Sequence, residues 1–275
     1  MACEETEDSF SIESYQIAIR RLTAADRTAL HELVVGVFWP HRAGDIDMLL
    51  SLGQGYLAVD EIDRPVGAGM AYPMGTDFAM IGMMVTAPRL QTLGVGRRIL
   101  ERLRADCGAR DLRLSATRDG YRLYENDGFV PLTRVFQHQG VVRINSMPAP
   151  VAGLELRTMT PEDHADILAL DAKAYGARRD NVLNVLLPAS IGIVARRDDR
   201  LCGYALLRDF GRGQVIGPVV AADDPMAISL CAPLVRRCEG RFLRLDTPHR
   251  DGEFSAFLTS VGLVVYDTVT EMYAG

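Results

Sequence analysis

Residues 82–103, GMMVTAPRLQTLGVGRRILERL, decide the fold of this 275-residue chain. The first part of the stretch is an apolar run that stops at Pro88, and this predicts a strand buried on both faces. The last part places Val95, Ile99 and Leu103 at helical intervals, which predicts an amphipathic helix. The stretch therefore predicts a strand, a short turn and a helix.

The turn between strand and helix contains two glycines, Gly94 and Gly96. Glycine lets the backbone approach a ligand closely and point its N–H groups at it. The first helical turn adds unpaired N–H donors and the positive end of the helix dipole. Such a turn suits a phosphate or diphosphate, and Arg89, Arg97 and Arg98 add positive charge around it. A turn with a purely structural role is the alternative interpretation.

The spacing excludes two common nucleotide motifs. No Gly-Lys-Ser/Thr follows, as a P-loop requires, and the third glycine of the dinucleotide fingerprint is absent. The string from Gln91 to Gly96 instead resembles the Q/R-x-x-G-x-G/A loop of the GNAT N-acetyltransferase superfamily. This resemblance implies acetyl-coenzyme A as cosubstrate and no metal. The residues that it implies as carrier contacts are Met84, Val85, Thr86, Gln91, Thr92, Leu93, Gly94, Val95, Gly96, Arg97 and Thr117.

A second segment, YRLYENDGF at residues 121–129, resembles the superfamily's A-x-x-L-Y-E-x-x-G-F. The tyrosine four residues before that glycine is the usual general acid, and here it is Tyr124. A phenol with a pKa of roughly 10 protonates a thiolate whose conjugate acid lies near 8.5 only if the site tunes both groups. A core tyrosine is the alternative. The chain departs from the pattern at Tyr121, where alanine is usual, and at Thr117, where asparagine is usual.

The general base is not evident from the sequence. Asp45, Asp47, Asp77 and His41 are candidates, and a solvated surface position is the alternative for each. A chain of water molecules to bulk solvent would serve equally well. In the superfamily, the segment around Trp39 covers the acceptor site, so this residue, the only tryptophan, is expected either to contact substrate or to lie in the core.

The chain repeats its own plan after residues 145–150, NSMPAP, which are predicted to be a linker because they contain two prolines and no periodicity. The resemblance implies an α/β (α+β) fold of two GNAT-like domains, residues 1–146 and 151–275. Each is expected to contain a mixed, mostly antiparallel sheet flanked by helices, with a splayed central pair of parallel strands.

The second half lacks the glycine turn. Asp223 and Asp224 stand at the corresponding place, and their carboxylates would repel a diphosphate. We therefore expect only the first half to bind coenzyme A. Segments 171–180 and 245–249 resemble a degenerate C-terminal GNAT-like domain found behind an active one. That domain could offer Asp246, Arg178 or His249 to a polar substrate, or Arg178 and Asp246 could form a structural ion pair.

Composition limits the remaining possibilities. The formal net charge of −6 gives no overall attraction to nucleic acid or to an anionic membrane. The five cysteines form no C-x-x-C pair, the acidic start does not resemble a signal peptide, and no apolar run approaches a membrane span. We expect a cytoplasmic protein whose first 14 residues form a mobile tail. Monomer and dimer both remain open.

The expected function is transfer of an acetyl group from acetyl-coenzyme A to an amine, of a small molecule, by direct attack in a ternary complex. The alternative is a catalytically silent coenzyme A-binding sensor or scaffold, because fold alone does not prove activity. The intact loop and Tyr124 favour the enzyme. The missing base and the threonine at position 117 favour the sensor.

Overall fold

The structure is a computed structural model that describes residues 8–12, 15–149 and 151–275. The tail expected at residues 1–14 is wrong for residues 8–12, which form a strand. The rest of that expected tail, and Pro150 of the expected linker, lie outside the described residues. Within the described ranges, no helix is long and apolar enough to cross a membrane.

The described chain divides into two compact units. The first unit runs to Pro131 and also contains Met272–Gly275, and the second unit is Leu132–Glu271. The elements up to the end of the first unit's main segment are β1 (Asp8–Ile12), β2 (Tyr15–Arg21), α1 (Arg27–Gly36), α2 (Ala43–Leu52), β3 (Gln54–Asp60), β4 (Pro65–Met74), β5 (Phe78–Thr86), α3 (Val95–Cys107), β6 (Asp111–Ala116) and α4 (Tyr121–Asn126).

The later elements lie in the second unit, with an exception at each end. They are β7 (Val130–Val141), β8 (Glu155–Thr158), α5 (His164–Tyr175), α6 (Asp180–Leu186), β9 (Ile191–Arg197), β10 (Arg200–Phe210), β11 (Gly213–Val220), α7 (Asp224–Arg237), β12 (Phe242–Thr247), α8 (Glu253–Ser260) and β13 (Val264–Ala274). The first two residues of β7 and the last three residues of β13 belong to the first unit.

In the first unit the strand order is β1-β2-β3-β4-β5-β6. Neighbouring strands are antiparallel except β5 and β6, which are parallel. The α3 side of the sheet forms one core, which includes Ala71, Ile81 and Leu114 together with Ile99 of α3. Residues alternate along a strand, so Tyr72 and Met80, which are register partners, lie on the opposite face. Helix α1 packs against β4 and β5.

In the second unit the strand order is β7-β12-β11-β10-β9-β8, again with one parallel pair, β11 and β12. The hairpin expected after Phe129 is wrong, because residues 130–141 form one continuous strand that pairs with β12. This long-range pairing places residues 132–141 in the second unit, whereas the sequence prediction assigns them to a domain 1–146. Residues 145–149 of the expected linker contain no helix or strand.

The same capped turn begins the first helix of both units. Asp26 accepts hydrogen bonds from the Thr23 backbone N–H at 2.8 Å and from Arg20 at 2.6 and 3.0 Å. Asp163 accepts the corresponding bonds from Thr160 at 2.9 Å and from Arg157 at 2.6 Å. Both units also contain the parallel strand pair, so the repeated plan predicted from the sequence is present in the fold.

Candidate active site

Strands β5 and β6 separate in the middle of the first unit. They pair only over Phe78–Ile81 and Asp111–Leu114, although both continue further. On its other side, β5 contains a bulge at Met83 and Met84, where the register against β4 shifts. Met83 has a positive φ of 51°, which is rare for a residue with a side chain. The splayed pair predicted from the sequence is confirmed, and it leaves backbone groups of Gly82–Thr86 without a partner strand on the β6 side.

The predicted glycine turn follows the open end of β5. The Gln91 side chain donates a hydrogen bond to the Thr86 carbonyl at 3.3 Å, which ties the turn back to the strand. Thr92 and Gly94 have positive φ values of 68° and 97°. Gly94 is the N-cap of α3, and no side chain of the described residues caps this helix. The first N–H groups of α3 are therefore available to an anion.

The turn packs against the core through its buried residues and against helix α4 through Gly96. Leu90 and Val95 are fully buried, while Leu93 between them points outward. A Cβ atom at Gly96 would lie 3.4 Å from the Thr86 hydroxyl and 3.5 Å from a Leu123 methyl carbon. The start of α3, the end of β5 and helix α4 therefore meet at this glycine.

The arginines near the turn have different partners. Arg97 forms an exposed ion pair with Glu101 at 3.2 Å, and Arg89 lies 3.6 Å from the buried carboxylate of Asp60. The Arg98 guanidinium lies 4.1 Å from the ring centre of Phe10 in β1. All three side chains keep positive charge at the surface beside the turn.

Tyr124 and Thr117 lie near each other at the start of α4. A Cβ atom at Gly120 would be 3.2 Å from the Tyr124 ring and 3.4 Å from the Thr117 hydroxyl oxygen. That oxygen accepts a hydrogen bond from the Gly120 N–H at 3.3 Å, and none of the described residues accepts its own proton. Burial raises the pKa of the Tyr124 phenol well above its ordinary value, so the group is protonated at neutral pH.

The three candidate carboxylates are engaged in structural contacts, whereas the fourth candidate base, His41, lies with its ring beside that of Trp39. The Asp45 carboxylate accepts the Arg42 backbone N–H at 2.7 Å and so caps α2. Asp47 pairs with Arg27 at 3.1 Å, and Asp77 is exposed and accepts the Thr76 hydroxyl at 3.0 Å. None of the three carboxylates is placed as an evident base.

The segment between α1 and α2 carries the predicted acceptor residue. Trp39 is half-buried, and its ring centre lies 5.8 Å from that of His41. The preceding Phe38 is 94% exposed and has a positive φ of 61°. Backbone strain of this kind occurs often at ligand sites. The substrate role of Trp39 stays a prediction.

The predicted residues of the second half have other partners. Arg244 binds Asp246 through two hydrogen bonds of 2.9 and 2.6 Å, and Arg178 binds Asp180. The alternative of an Arg178–Asp246 ion pair is therefore wrong. His249 is exposed, and its backbone N–H donates to Thr247 at 3.2 Å.

Sequence reasoning missed one residue of the first unit, Tyr72 on β4. Its ring packs between Gly53 and Gly82, directly before the bulge of β5. A tyrosine in an apolar strand gives no signal of such a position, because both glycine contacts are made across the fold. No group of three or more potential metal ligands occurs among the residues that the structure describes.

A separated pair of parallel strands and an uncapped glycine turn are the features that the resemblance to the GNAT superfamily predicts, and a bulged strand accompanies them. Comparison with known proteins agrees. Residues 47–147 and residues 167–275 each match a model described as an acetyltransferase (GNAT) domain. The chain belongs to the GNAT N-acetyltransferases and contains two such domains in tandem.

Individual relatives support the same assignment. An uncharacterized N-acetyltransferase of Bacillus subtilis, YitH, is 29% identical over 187 residues, which cover 66% of this chain and 64% of that protein. A putative acetyltransferase from Pyrococcus horikoshii has a similar fold, with a TM-score of 0.77 and 20% identity over 100% of this chain and 93% of that one. A tandem GNAT protein from the clavulanic acid biosynthesis pathway has a TM-score of 0.69 and 15% identity over 94% and 98% of the two chains.

Proposed function

We propose that the first unit transfers an acetyl group from acetyl-coenzyme A to the amine of a small molecule by direct attack in a ternary complex. One observation carries the proposal: the uncapped start of α3 meets both the open end of β5 and helix α4 at Gly96. A carrier whose diphosphate binds this turn would reach the strand opening with its arm and come near Tyr124.

The backbone supplies the binding contacts. N–H groups of the turn from Thr92 to Arg97 would bind the diphosphate. The pantetheine arm would bond to the free backbone edge of Met84, Val85 and Thr86, which β6 leaves open. The Thr117 hydroxyl, whose proton none of the described residues accepts, would donate to the same arm. A backbone N–H near Val85 would then polarise the thioester carbonyl.

The reaction forms one bond and breaks another. The amine nitrogen attacks the carbonyl carbon, the new C–N bond forms, and the C–S bond breaks with its electron pair leaving on sulfur. Tyr124 donates its hydroxyl proton to that sulfur and recovers a proton from solvent. Burial keeps this phenol protonated at neutral pH and also makes it a weaker acid, so the proton moves to sulfur only where the same burial raises the pKa of the departing thiol. Because the nearby carboxylates are engaged, water accepts the proton that the amine loses.

The test combines binding with turnover. Acetyl-coenzyme A is titrated into the full chain in a calorimeter, and thiol release is then followed with a panel of primary amines. We expect binding at one site per chain and thiol release with at least one amine. Binding without release on any amine would support the silent carrier-binding alternative, and no binding would exclude both.

The variant Tyr124→Phe separates binding from chemistry. We expect the rate of thiol release to fall by about 10²- to 10⁴-fold while the affinity for acetyl-coenzyme A is kept. Tyr121→Phe is the matched control, since it removes a hydroxyl from the same helix and is expected to leave the rate unchanged. Equal rates for wild type and Tyr124→Phe would exclude Tyr124 as the acid.

A further inference from the structure

The Tyr72 ring packs against Gly53 and Gly82, two positions where a larger residue would collide with it. A Cβ atom at Gly53, the residue that ends α2, would lie 2.6 Å from two carbons of the Tyr72 ring. A Cβ atom at Gly82 would lie 3.1 Å from the opposite edge of the ring. The side chain is 8% exposed. The ring is therefore fixed between α2 and β5.

The Tyr72 hydroxyl group is only partly satisfied. It donates to the Met70 sulfur at 3.3 Å, and a thioether is a weak acceptor. Within the described ranges, no N–H or O–H group donates to the phenol oxygen, so its lone pairs face no protein donor. Buried polar groups normally have partners, and an unpaired one calls for an explanation. Burial also raises the pKa of this phenol, so it stays neutral.

The Tyr72 hydroxyl lies next to Met70, at the level where β5 and β6 begin to separate. Met70 is the register partner of Gly82, which immediately precedes the bulge, and β6 pairs with β5 only as far as Ile81. Tyr72 lies on the sheet face opposite α3, because the preceding residue Ala71 and its register partner Ile81 face the α3 core. The carrier would approach from the start of α3, so the amine has to reach the thioester from the Tyr72 face.

We propose that the Tyr72 phenol oxygen accepts a hydrogen bond from an N–H of the attacking amine. This inference rests on the proposed function. The bond would turn the amine lone pair toward the thioester carbonyl and would strengthen as the nitrogen gains positive charge during attack. No proton is transferred to Tyr72, and its hydroxyl proton continues to donate to the Met70 sulfur. The phenol oxygen thus offers lone pairs that none of the described residues uses.

Tyr72→Phe tests the inference because it removes the oxygen and keeps the ring between the two glycines. With the amine that wild type acetylates fastest, we expect kcat/KM for the amine to fall about tenfold. The dissociation constant for acetyl-coenzyme A is expected to stay within twofold, and the melting temperature is expected not to fall. Tyr56→Phe is the matched control, since Tyr56 is a buried tyrosine of β3 on the α3 face.

The outcomes separate this inference from the proposed function. If wild type releases thiol and Tyr72→Phe keeps the wild-type kcat/KM for the amine, the Tyr72 inference is wrong and the function stands. A parallel loss of acetyl-coenzyme A affinity would also overturn it, because a contact to the amine leaves carrier binding intact. If wild type releases no thiol with any amine, the proposed function itself fails.

Discussion

The starts of α3 and α7 occupy the same place in the two units and have opposite electrostatic character. Gly94 precedes α3 with a left-handed backbone, and no described side chain caps the helix. Asp223 precedes α7 and accepts the Met226 N–H at 2.8 Å, while Asp224 accepts the Phe254 N–H at 3.1 Å. One helix start is open to an anion, and the other is already occupied by carboxylates. A duplicated fold thus keeps its architecture after losing the binding turn.

Two further differences point the same way. Phe129 donates to the Tyr124 carbonyl at 3.0 Å, and Leu263 donates to the Leu258 carbonyl at 2.9 Å, so Leu258 stands where Tyr124 stands in the first unit. The second unit therefore has no phenol at this position. Its bulge is also altered, because Gly217 and Pro218 occupy the places of Met83 and Met84, and proline has no N–H.

The connection after the first helix also differs between the units. In the second unit, fully buried Asp171 accepts two bonds of 2.8 Å from Arg179 and one from Tyr204, which joins α5, α6 and β10. In the first unit the corresponding connection contains the exposed Phe38. The second unit has replaced an open connection by a buried ionic network, which indicates a structural role for this segment.

The largest effect is expected from removing Arg179. The Arg179→Ala variant leaves the Asp171 carboxylate buried without its partner, and such a loss costs about 3–5 kcal/mol of unfolding free energy. Urea denaturation followed by circular dichroism measures it. The adjacent Arg178→Ala is the control, because Arg178 is exposed and its ion pair with Asp180 lies at the surface, so its loss should leave stability nearly unchanged. Similar losses in the two variants would contradict the network's structural role.

The next effect tests the open helix start directly. Gly94→Asp places a carboxylate where Asp223 stands in the second unit, and we expect acetyl-coenzyme A affinity to fall about 100-fold, or about 2.8 kcal/mol. Calorimetric titration gives the dissociation constant. Gly108→Asp is the control, since Gly108 ends the same helix with a positive φ of 62° and also faces open space. If both variants bind as wild type does, the turn does not hold the diphosphate.

The turn could be predicted from sequence because its determinants are local. Gly94, Gly96 and Gln91 lie within six residues, and the strand and helix around them have clear periodicities. The separation of β5 and β6 was predicted from the resemblance to the GNAT superfamily, and the fold contains it. Thr117 and Tyr124 lie together as the α4 segment predicts, although their chemical roles stay predictions.

The remainder depends on contacts between distant residues. Tyr72 acquires its position from Gly53 and Gly82, which no local pattern connects to it. Residues 8–12 are polar enough to suggest a tail, yet they pair with β2 in antiparallel register. Strand β7 carries no sequence signal that distinguishes a hairpin from pairing with β12. In each case tertiary packing, rather than local secondary-structure propensity, determines the conformation.

Asp163 caps the first helix of the second unit as Asp26 does in the first unit, and its contribution to stability should depend on pH. The Arg157 hydrogen bond is the main cause that lowers the pKa of Asp163 from 3.8 to about 2, although burial opposes it. A lowered pKa stabilises the fold above the unfolded value, and this contribution is lost as the pH falls from about 4 toward 2. Asp163→Asn should therefore cost about 2 kcal/mol at pH 7 and little at pH 2. Urea denaturation of both proteins at each pH measures the difference, and a cost independent of pH would contradict it.

The smallest effect concerns the occupied helix start. Asp223→Ala removes the cap of α7 and should lower the free energy of unfolding by about 1 kcal/mol, measured by urea denaturation. It should not create a second binding site for acetyl-coenzyme A, because Asp224 remains as an acidic residue in the first turn of α7 and Pro218 still lacks an N–H. Calorimetry should therefore still give one site per chain. A second site in this variant would show that one carboxylate alone had silenced the second unit, whereas an unchanged count means that the loss is spread over several positions.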